Sequence, residues 1–395
     1  MSEDFFKRIE DLSFSELAFE IARPFLSETF DDTEIKEIVD NAINFEAPLA
    51  SLTDQLHILE LWHGPSLAFK DFGARFMAEV MSRLVKDEER KLTILVATSG
   101  DTGGAVAAGF LGVENVEVVI LYPSEKVSPL QEKQLTTLGQ NITALEIDGS
   151  FDDCQAIVKQ AFLDPEINDH FLLSSANSIN ISRLIPQTFY YFEAYKQIVK
   201  KENLVFCIPS GNFGNLTAGL LAAKMGLPVQ KFIAATNVND IVPSFLSSGV
   251  YEPKASVPTI SNAMDVGAPS NFQRMVDLYD NSWEEMANAI LGYSFTDDET
   301  RETIMRVKLF HNYVIDPHGA VGFRAAQRYL EEHPEGQVII LETAHPAKFL
   351  PVMMPLLGAV EIPERLSILR NKEKQAVYLS KEYSAFKSWM LGSDK

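Results

Sequence analysis

Apolar positions recur along this chain with two different periods, and the change of period divides it. Residues 1–45 place apolar side chains three and four apart. LSFSELAFEIARPFL and DDTEIKEIVDNAI therefore predict amphipathic helices, the second opened by acids that suit the positive end of a helix. From about residue 56 short unbroken apolar runs take over. QLHILELW, KLTILVAT, VEVVILYP, NITALEID, NLVFCIP, VQKFIAATN and QVIILETA each predict a buried strand. Helical patterns lie between them: Asp71 to Lys86, GGAVAAGFLG, SPLQEKQLTTLG, Asp152 to Phe162, RLIPQTFYYFEAYKQIVK, LTAGLLAAKMG and residues 320–331. Apolar strands separated by helices form parallel sheets covered on both faces, so the fold class is α/β with a short helical N-terminal segment. Residues 251–275 break the rhythm with three prolines and little periodicity. A stretch of that kind inside a compact domain is usually functional.

Length and charge narrow the function. At 395 residues two domains are expected, and 46% hydrophobic residues can bury a large core. Cys154 and Cys207 sit in apolar segments and read as core thiols, which fits a reducing, cytoplasmic compartment. A net charge of −21 argues against a nucleic-acid partner, which needs a basic face. It also means that an anionic substrate must be drawn in by local donors. The opening MSEDFFKRIEDL carries acids where a secretion signal has bases, and no run of 18 apolar residues marks a membrane span. The seven histidines show neither H-E-x-x-H nor a Cys/His cluster, so no metal site is expected.

In open α/β sheets ligands bind beyond the carboxyl ends of the strands, and four loops there carry unusual chemistry. In WHGPSLAFKDFGARF, Lys70 follows the apolar Leu67-Ala68-Phe69. Most lysines are solvated surface residues, but an apolar setting disfavours the ammonium form and frees the amine as nucleophile and base. VATSGDTGGAVAAGF places Ser99-Gly100-Asp101-Thr102-Gly103 between a strand and a helix, either as an anion cradle or as a tight packing turn. It lacks both the P-loop and the dinucleotide spacing. IPSGNFGNLTAG brings Ser210-Gly211-Asn212-Phe213-Gly214-Asn215 to a helix start, where glycines permit a nest of N–H groups suited to phosphate. LETAHPAKF puts the neutral hydroxyl of Thr343 at a strand end, with His345 and Lys348 unassigned. Two cradles, one lysine and no metal or dinucleotide signature point to a phosphorylated, lysine-bound cofactor such as pyridoxal phosphate.

The blocks HGPSLAFKDFGARF, ATSGDTGGAVAAG, SPLQEKQLTTLG, SANSINISRLIPQ, PSGNFGNLTAG, FIAATNVND, SNAMDVG and TAHPAKF resemble, in the same order, those of the threonine synthases of bacteria and fungi. The resemblance covers about residues 45 to 350. It implies the fold-type II pyridoxal-phosphate architecture: a helical segment at 1–50, a larger cofactor-binding domain from 51–90 and 190–395, and a smaller substrate domain at 91–189. It implies that Lys70 carries the cofactor, that Gly211, Asn212, Phe213, Gly214 and Asn215 hold its phosphate, and that Thr343 bonds its pyridine nitrogen. Asp101 would lie near its 3′-oxygen. Thr98, Ser99, Gly100 and Thr102 would take the substrate carboxylate, and Asn177, Ser178 and Arg183 the substrate phosphate. The guanidinium fork of Arg183 suits a phosphate and locally offsets the negative field. The implied enzyme is a lyase that acts on O-phosphohomoserine in threonine biosynthesis, as a monomer or homodimer. Ser66 stands where the family usually has threonine, and the strand and glycine-rich turn that usually open the family have no counterpart before the first helix. Two rival readings follow: a phospho-lyase yielding a 2-oxo acid, and a catalytically silent relative.

Overall fold

Both N-terminal helices start at the capping signals in their sequence. Ser13 and Glu16 form a reciprocal capping box at the helix Phe14–Leu26, and Asp31 with Glu34 forms another at Asp32–Ala42. Each such cap contributes about 1 kcal/mol. Leu17, Ile21, Ile35, Ile38 and Val39, spaced three or four apart, are the residues these helices bury. A short helix, Glu3–Arg8, precedes them.

The computed structural model describes residues 1–178 and 180–392. They fall into two units, Met1–Phe69 with Leu184–Glu361, and Lys70–Arg183 with Ile362–Lys395. In the first, six strands run in the order Leu49–Ser51, Leu56–Glu60, Gln337–Glu342, Leu204–Pro209, Lys231–Thr236 and Ile290–Ser294. All pairs are parallel except the edge pair Leu49–Ser51 with Leu56–Glu60. The central strands bury every residue, as their unbroken apolar runs require of a sheet covered on both faces. Val205, Cys207, Ile233, Val338 and Ile340 pack with Ala320, Phe323 and Ala326 of the helix Pro317–Glu332.

The second unit holds five parallel strands in the order Val377–Ser380, Ile142–Asp148, Val116–Pro123, Leu92–Ala97 and Leu172–Ser175. One cluster, with Ile94, Val96, Val118 and Ile120, packs on one face, and another, with Leu95, Leu121, Ile147 and Cys154, packs on the other. Lys374 crosses to this sheet and pairs with Glu132 and Glu146, both at 2.6 Å.

Every strand and helix read from the sequence is present, with ends moved by a few residues; the helix expected from Asp71 runs Lys70–Leu84. Ile290–Ser294, Leu172–Ser175 and Val377–Ser380 were not read, because they are half-exposed and lack a long apolar run. Nor was the helix Asp297–His311, which buries only Thr300, Thr303, Ile304 and Val307. Among the described residues no helix is long and apolar enough to cross a membrane, and no group of three or more His, Cys, Asp or Glu is arranged to hold a metal ion. Cys154 and Cys207 are buried and unbridged. Burial pushes both thiols up, Cys154 to about 12, so neither is a nucleophile near neutral pH.

Candidate active site

In the first unit the strand Gln337–Glu342 ends at Thr343, which is buried. Leu67–Phe69 runs antiparallel against this strand end: Phe69 N–H donates to Thr343 O at 2.9 Å, His345 N–H to Leu67 O at 3.0 Å, and Ala68 bridges Ala344. Leu67 pays with a left-handed φ of 60°, uncommon for a branched side chain and a sign of backbone held by its surroundings. Lys70, the next residue along the chain, is half-buried and opens the helix Lys70–Leu84. The two unassigned residues of this block have structural partners. Lys348, buried, donates through Nζ to Ser66 O at 2.9 Å, and His345 Nδ1 accepts from Ala347 N–H at 3.1 Å.

The Ser210–Asn215 loop follows the strand Leu204–Pro209 and opens the helix Gly214–Lys224. Phe213, at φ 61°, is its N-cap, and no side chain caps this terminus among the described residues. The first N–H inside the helical ladder is that of Thr217, donating to Phe213 O, so the N–H groups of Gly214, Asn215 and Leu216 lie outside it. Gly211 is required by packing: a Cβ there would lie 2.5 Å from Met264 Cα. Asn212 turns its side chain away to brace the covering loop, its Oδ1 accepting from Ser270 N–H at 2.6 Å and Ser270 O–H at 2.9 Å. Asn215 is buried, and its Oδ1 accepts from the hydroxyls of Tyr190 at 2.7 Å and Tyr191 at 2.9 Å. Its Nδ2 has no partner among the described residues.

The polar stretch 251–275, expected to be functional, covers that loop and is knotted by Asp265. The Asp265 carboxylate accepts from Thr259 N–H and O–H and from the amides of Asn237 and Asn239, at 2.7 to 3.2 Å. Burial raises its pKa, partly offset by those donors.

In the second unit Ser99–Gly103 joins the strand Leu92–Ala97 to the helix Asp101–Phe110. Thr98 is buried, and its hydroxyl oxygen accepts from Gly100 N–H at 3.0 Å and Gly103 N–H at 2.8 Å. Gly100 needs its freedom, with φ 140° and Gln131 packed where a side chain would be. Gln131 also donates to Asp101 Oδ1 at 2.7 Å. Ser99 and Thr102 remain partly exposed. Asn177 and Ser178 are half-buried in the turn that follows Leu172–Ser175, where Asn180 N–H donates to Asn177 O at 3.1 Å. Arg183 is buried, donates through Nη1 to Ala176 O, and fills space that a Cβ on Gly73 would take. Burial lowers its pKa to about 10, opposed by the charge of Asp71, so it stays protonated near neutral pH.

Sequence reading missed a buried acid cluster in the first unit. Asp316 caps the helix Pro317–Glu332, its Oδ1 accepting from His318 N–H and facing His318 Nδ1, both at 2.6 Å. Glu342, immediately before Thr343, accepts from Asp316 N–H at 2.8 Å. The Asp-Pro-His-Gly signature of a helix start was available in the sequence, but its long-range partner was not.

Comparisons with known proteins identify the family of this chain. The family described as "Pyridoxal-phosphate dependent enzyme" matches residues 47–343, "Threonine synthase N terminus" residues 1–43, and "Threonine synthase, C-terminal" residues 319–390. The chain is 47% identical to a Serratia marcescens protein named threonine synthase over 94% of this chain and 86% of the relative. It is 46% identical to that of Escherichia coli K12 over 96% and 88%. The crystal structure of threonine synthase from Escherichia coli superposes with a TM-score of 0.92 at 43% identity, over all of this chain and 91% of the other. The pyridoxal-phosphate-bound threonine synthase from Brucella melitensis superposes at 0.91 and 32% identity, covering 100% and 92%.

Proposed function

Since the chain belongs to the threonine synthases, fold-type II enzymes that use pyridoxal phosphate, we infer that it acts on O-phosphohomoserine, with Lys70 carrying the cofactor. Water adds at Cβ of the substrate, phosphate leaves from Cγ, and the products are threonine and inorganic phosphate. The observation that carries the site reading is the buried Asn215 amide, a donor that the protein aims with two tyrosines and leaves unsatisfied. Buried donors are almost always paired, so one left over beside a helix N-terminus suits an external phosphate.

When bound, pyridoxal phosphate supplies an electron sink for negative charge at the substrate's α-carbon. The protein supplies the rest. The Lys70 amine would hold the cofactor and would move the substrate's Cα proton, later returning it. The N–H groups of Gly211 to Asn215 hold the cofactor phosphate, and Thr343 offers the pyridine nitrogen a neutral hydroxyl. That hydroxyl would leave the nitrogen less protonated than a carboxylate does and so would restrain the sink. Asp101 would serve the cofactor's 3′-oxygen. Ser99, Gly100 and Thr102 grip the substrate carboxylate on a turn that Thr98 shapes from beneath. Asn177, Ser178 and Arg183 take the substrate phosphate, Arg183 adding charge-assisted bonds of about 1.5–3 kcal/mol each. The two buried, unbridged cysteines suit the cytoplasm.

The deciding experiment is incubation of the purified enzyme with O-phosphohomoserine and separation of the products. Threonine with equimolar phosphate is expected, and Lys70→Ala should abolish its formation while leaving a folded protein. Formation of 2-oxobutanoate instead would make the enzyme a phospho-lyase. Borohydride fixation of the cofactor on another lysine would remove Lys70 from its role.

A further inference from the structure

Asp316 and Glu342 are both fully buried at the carboxyl end of the first unit's sheet, and each retains one oxygen, Oδ2 and Oε2, without a conventional partner among the described residues. Their other oxygens are engaged: Asp316 Oδ1 by His318, and Glu342 Oε1 by Asp316 N–H at 2.8 Å. The two buried carboxyl groups adjoin through that Asp316 N–H bond, and with neither Oδ2 nor Oε2 bonded to a donor among the described residues, holding both in the interior requires that one of them keep its proton. Gly319 makes room for the arrangement, since a Cβ there would lie 1.6 Å from Glu342 Oε2. From this pair the contacts run to both candidate cofactor grips. Glu342 is bonded directly to Thr343 along the chain, and its carbonyl accepts from Leu61 N–H at 3.0 Å. On the other side His318 Nε2 accepts from Ala263 N–H at 3.2 Å. That contact fixes the tautomer, with the proton on Nδ1 toward Asp316. Ala263 and Met264 are the backbone that packs on Gly211.

We propose that Asp316, His318 and Glu342 form a positioning unit, held together by one proton shared between the two carboxyls, that fixes the pyridine-side grip at Thr343 relative to the phosphate-side grip at Gly211–Asn215. The proposal rests on the reading of those two grips as the cofactor site. None of the three residues touches the reacting atoms; they act by holding the strand end and the Ala263 backbone in register. Loss of the shared proton would set two negative charges side by side in a buried site that also contains Glu60, itself bonded to His63 and Tyr313. Asp265 adds a further acid near His318. Burial and the charge of Asp316 raise the pKa of Glu342 well above its ordinary 4.5. The neutral form is therefore the native one. Its stabilising effect is complete below the ordinary carboxyl range and is lost as pH rises through the raised value.

The test uses the full chain stripped of cofactor and titrated calorimetrically with pyridoxamine 5′-phosphate, which has no aldehyde to bond a lysine. Glu342→Gln keeps a neutral side chain that can donate to Asp316 Oδ2 and still accept from Asp316 N–H. Its affinity should match the native chain within about twofold near neutral pH. As pH rises through the raised value of Glu342 the native chain should lose affinity about fivefold or more, and Glu342→Gln should not. Glu342→Ala, unable to bridge, should bind about tenfold more weakly at every pH. A parallel alkaline loss in the native chain and Glu342→Gln would overturn the proposal, as would loss of affinity in Glu342→Gln at neutral pH. If Glu342→Ala fails to fold, the pH profiles of the other two proteins decide alone. Gly211→Ala serves as the separate control: unchanged affinity in that variant would sink the grip reading itself, whatever the acid pair does.

Discussion

The Ser210–Asn215 loop and the Ser99–Gly103 turn are built alike, each a glycine-rich link from a buried strand into a helix, yet they handle their N–H groups in opposite ways. At Ser210–Asn215 no side chain among the described residues caps the helix, and a buried amide finds no partner among them. At Ser99–Gly103 the Thr98 hydroxyl has already taken the N–H groups of Gly100 and Gly103. The first loop is held from outside by the 261–271 backbone, the second from inside by its own threonine. A glycine-rich turn thus reports that backbone must come close to something. Only the accounting of donors tells whether that something is a ligand or the protein itself. In the function proposed, the first keeps its donors for a phosphate. In that same reading the second shapes a rim whose partly exposed groups, Ser99 and Thr102, bind the substrate.

The largest expected effect breaks the externally held loop. Gly211→Ala would press a methyl to 2.5 Å from Met264 Cα, a backbone contact that cannot yield without moving the covering loop. Cofactor affinity should fall about a hundredfold, roughly 2.7 kcal/mol, measured by reconstitution of the stripped enzyme. The equivalent change on the other side, at a glycine of the Ser99 turn, should spare cofactor affinity and raise the Michaelis constant instead. Equal effects on both constants from both loops would erase the distinction between them.

Arg183 offers a middle-sized test within the substrate-side unit. Replacing it with leucine removes a buried cation whose charge acts on buried Asp71, a loss to the fold that confuses binding with folding. Arg183→Lys keeps the charge and loses the planar fork. The Michaelis constant for O-phosphohomoserine should rise about tenfold, with cofactor affinity unchanged and no loss for an analogue that lacks the phosphate. Equal losses for both ligands would assign Arg183 to the fold alone.

Much of this was legible beforehand, and the reason is local. Unbroken apolar runs such as NLVFCIP and QVIILETA report burial on both faces, and Ser13 or Asp31 three residues before a glutamate reports a helix start. The knot around Asp265 and the acid pair Asp316–Glu342 were not legible. Each polar residue there is made tolerable by a partner 18 to 28 residues away, and periodicity carries no information about such partners. Asn212 shows the same limit at one residue: its place in the loop could be read, but not that its side chain holds Ser270.

The smallest expected effect sharpens the comparison most, because it isolates one oxygen atom. Thr98→Val keeps the shape and removes the acceptor, leaving two N–H groups unsatisfied in a buried turn at about 1–3 kcal/mol each. The turn should relax, raising the Michaelis constant about fivefold while cofactor affinity holds. Thr98→Ser keeps the acceptor and removes the methyl that packs where Gly103 has no side chain. Losing one buried methyl costs about 1 kcal/mol of stability. With the oxygen still holding Gly100 and Gly103, the Michaelis constant should stay within about threefold of native, below 0.7 kcal/mol. Melting temperature and steady-state kinetics on the two variants separate the contributions. If serine raises the Michaelis constant as much as valine does, packing against Gly103 rather than the shared hydroxyl shapes the turn, and the internal half of the comparison falls.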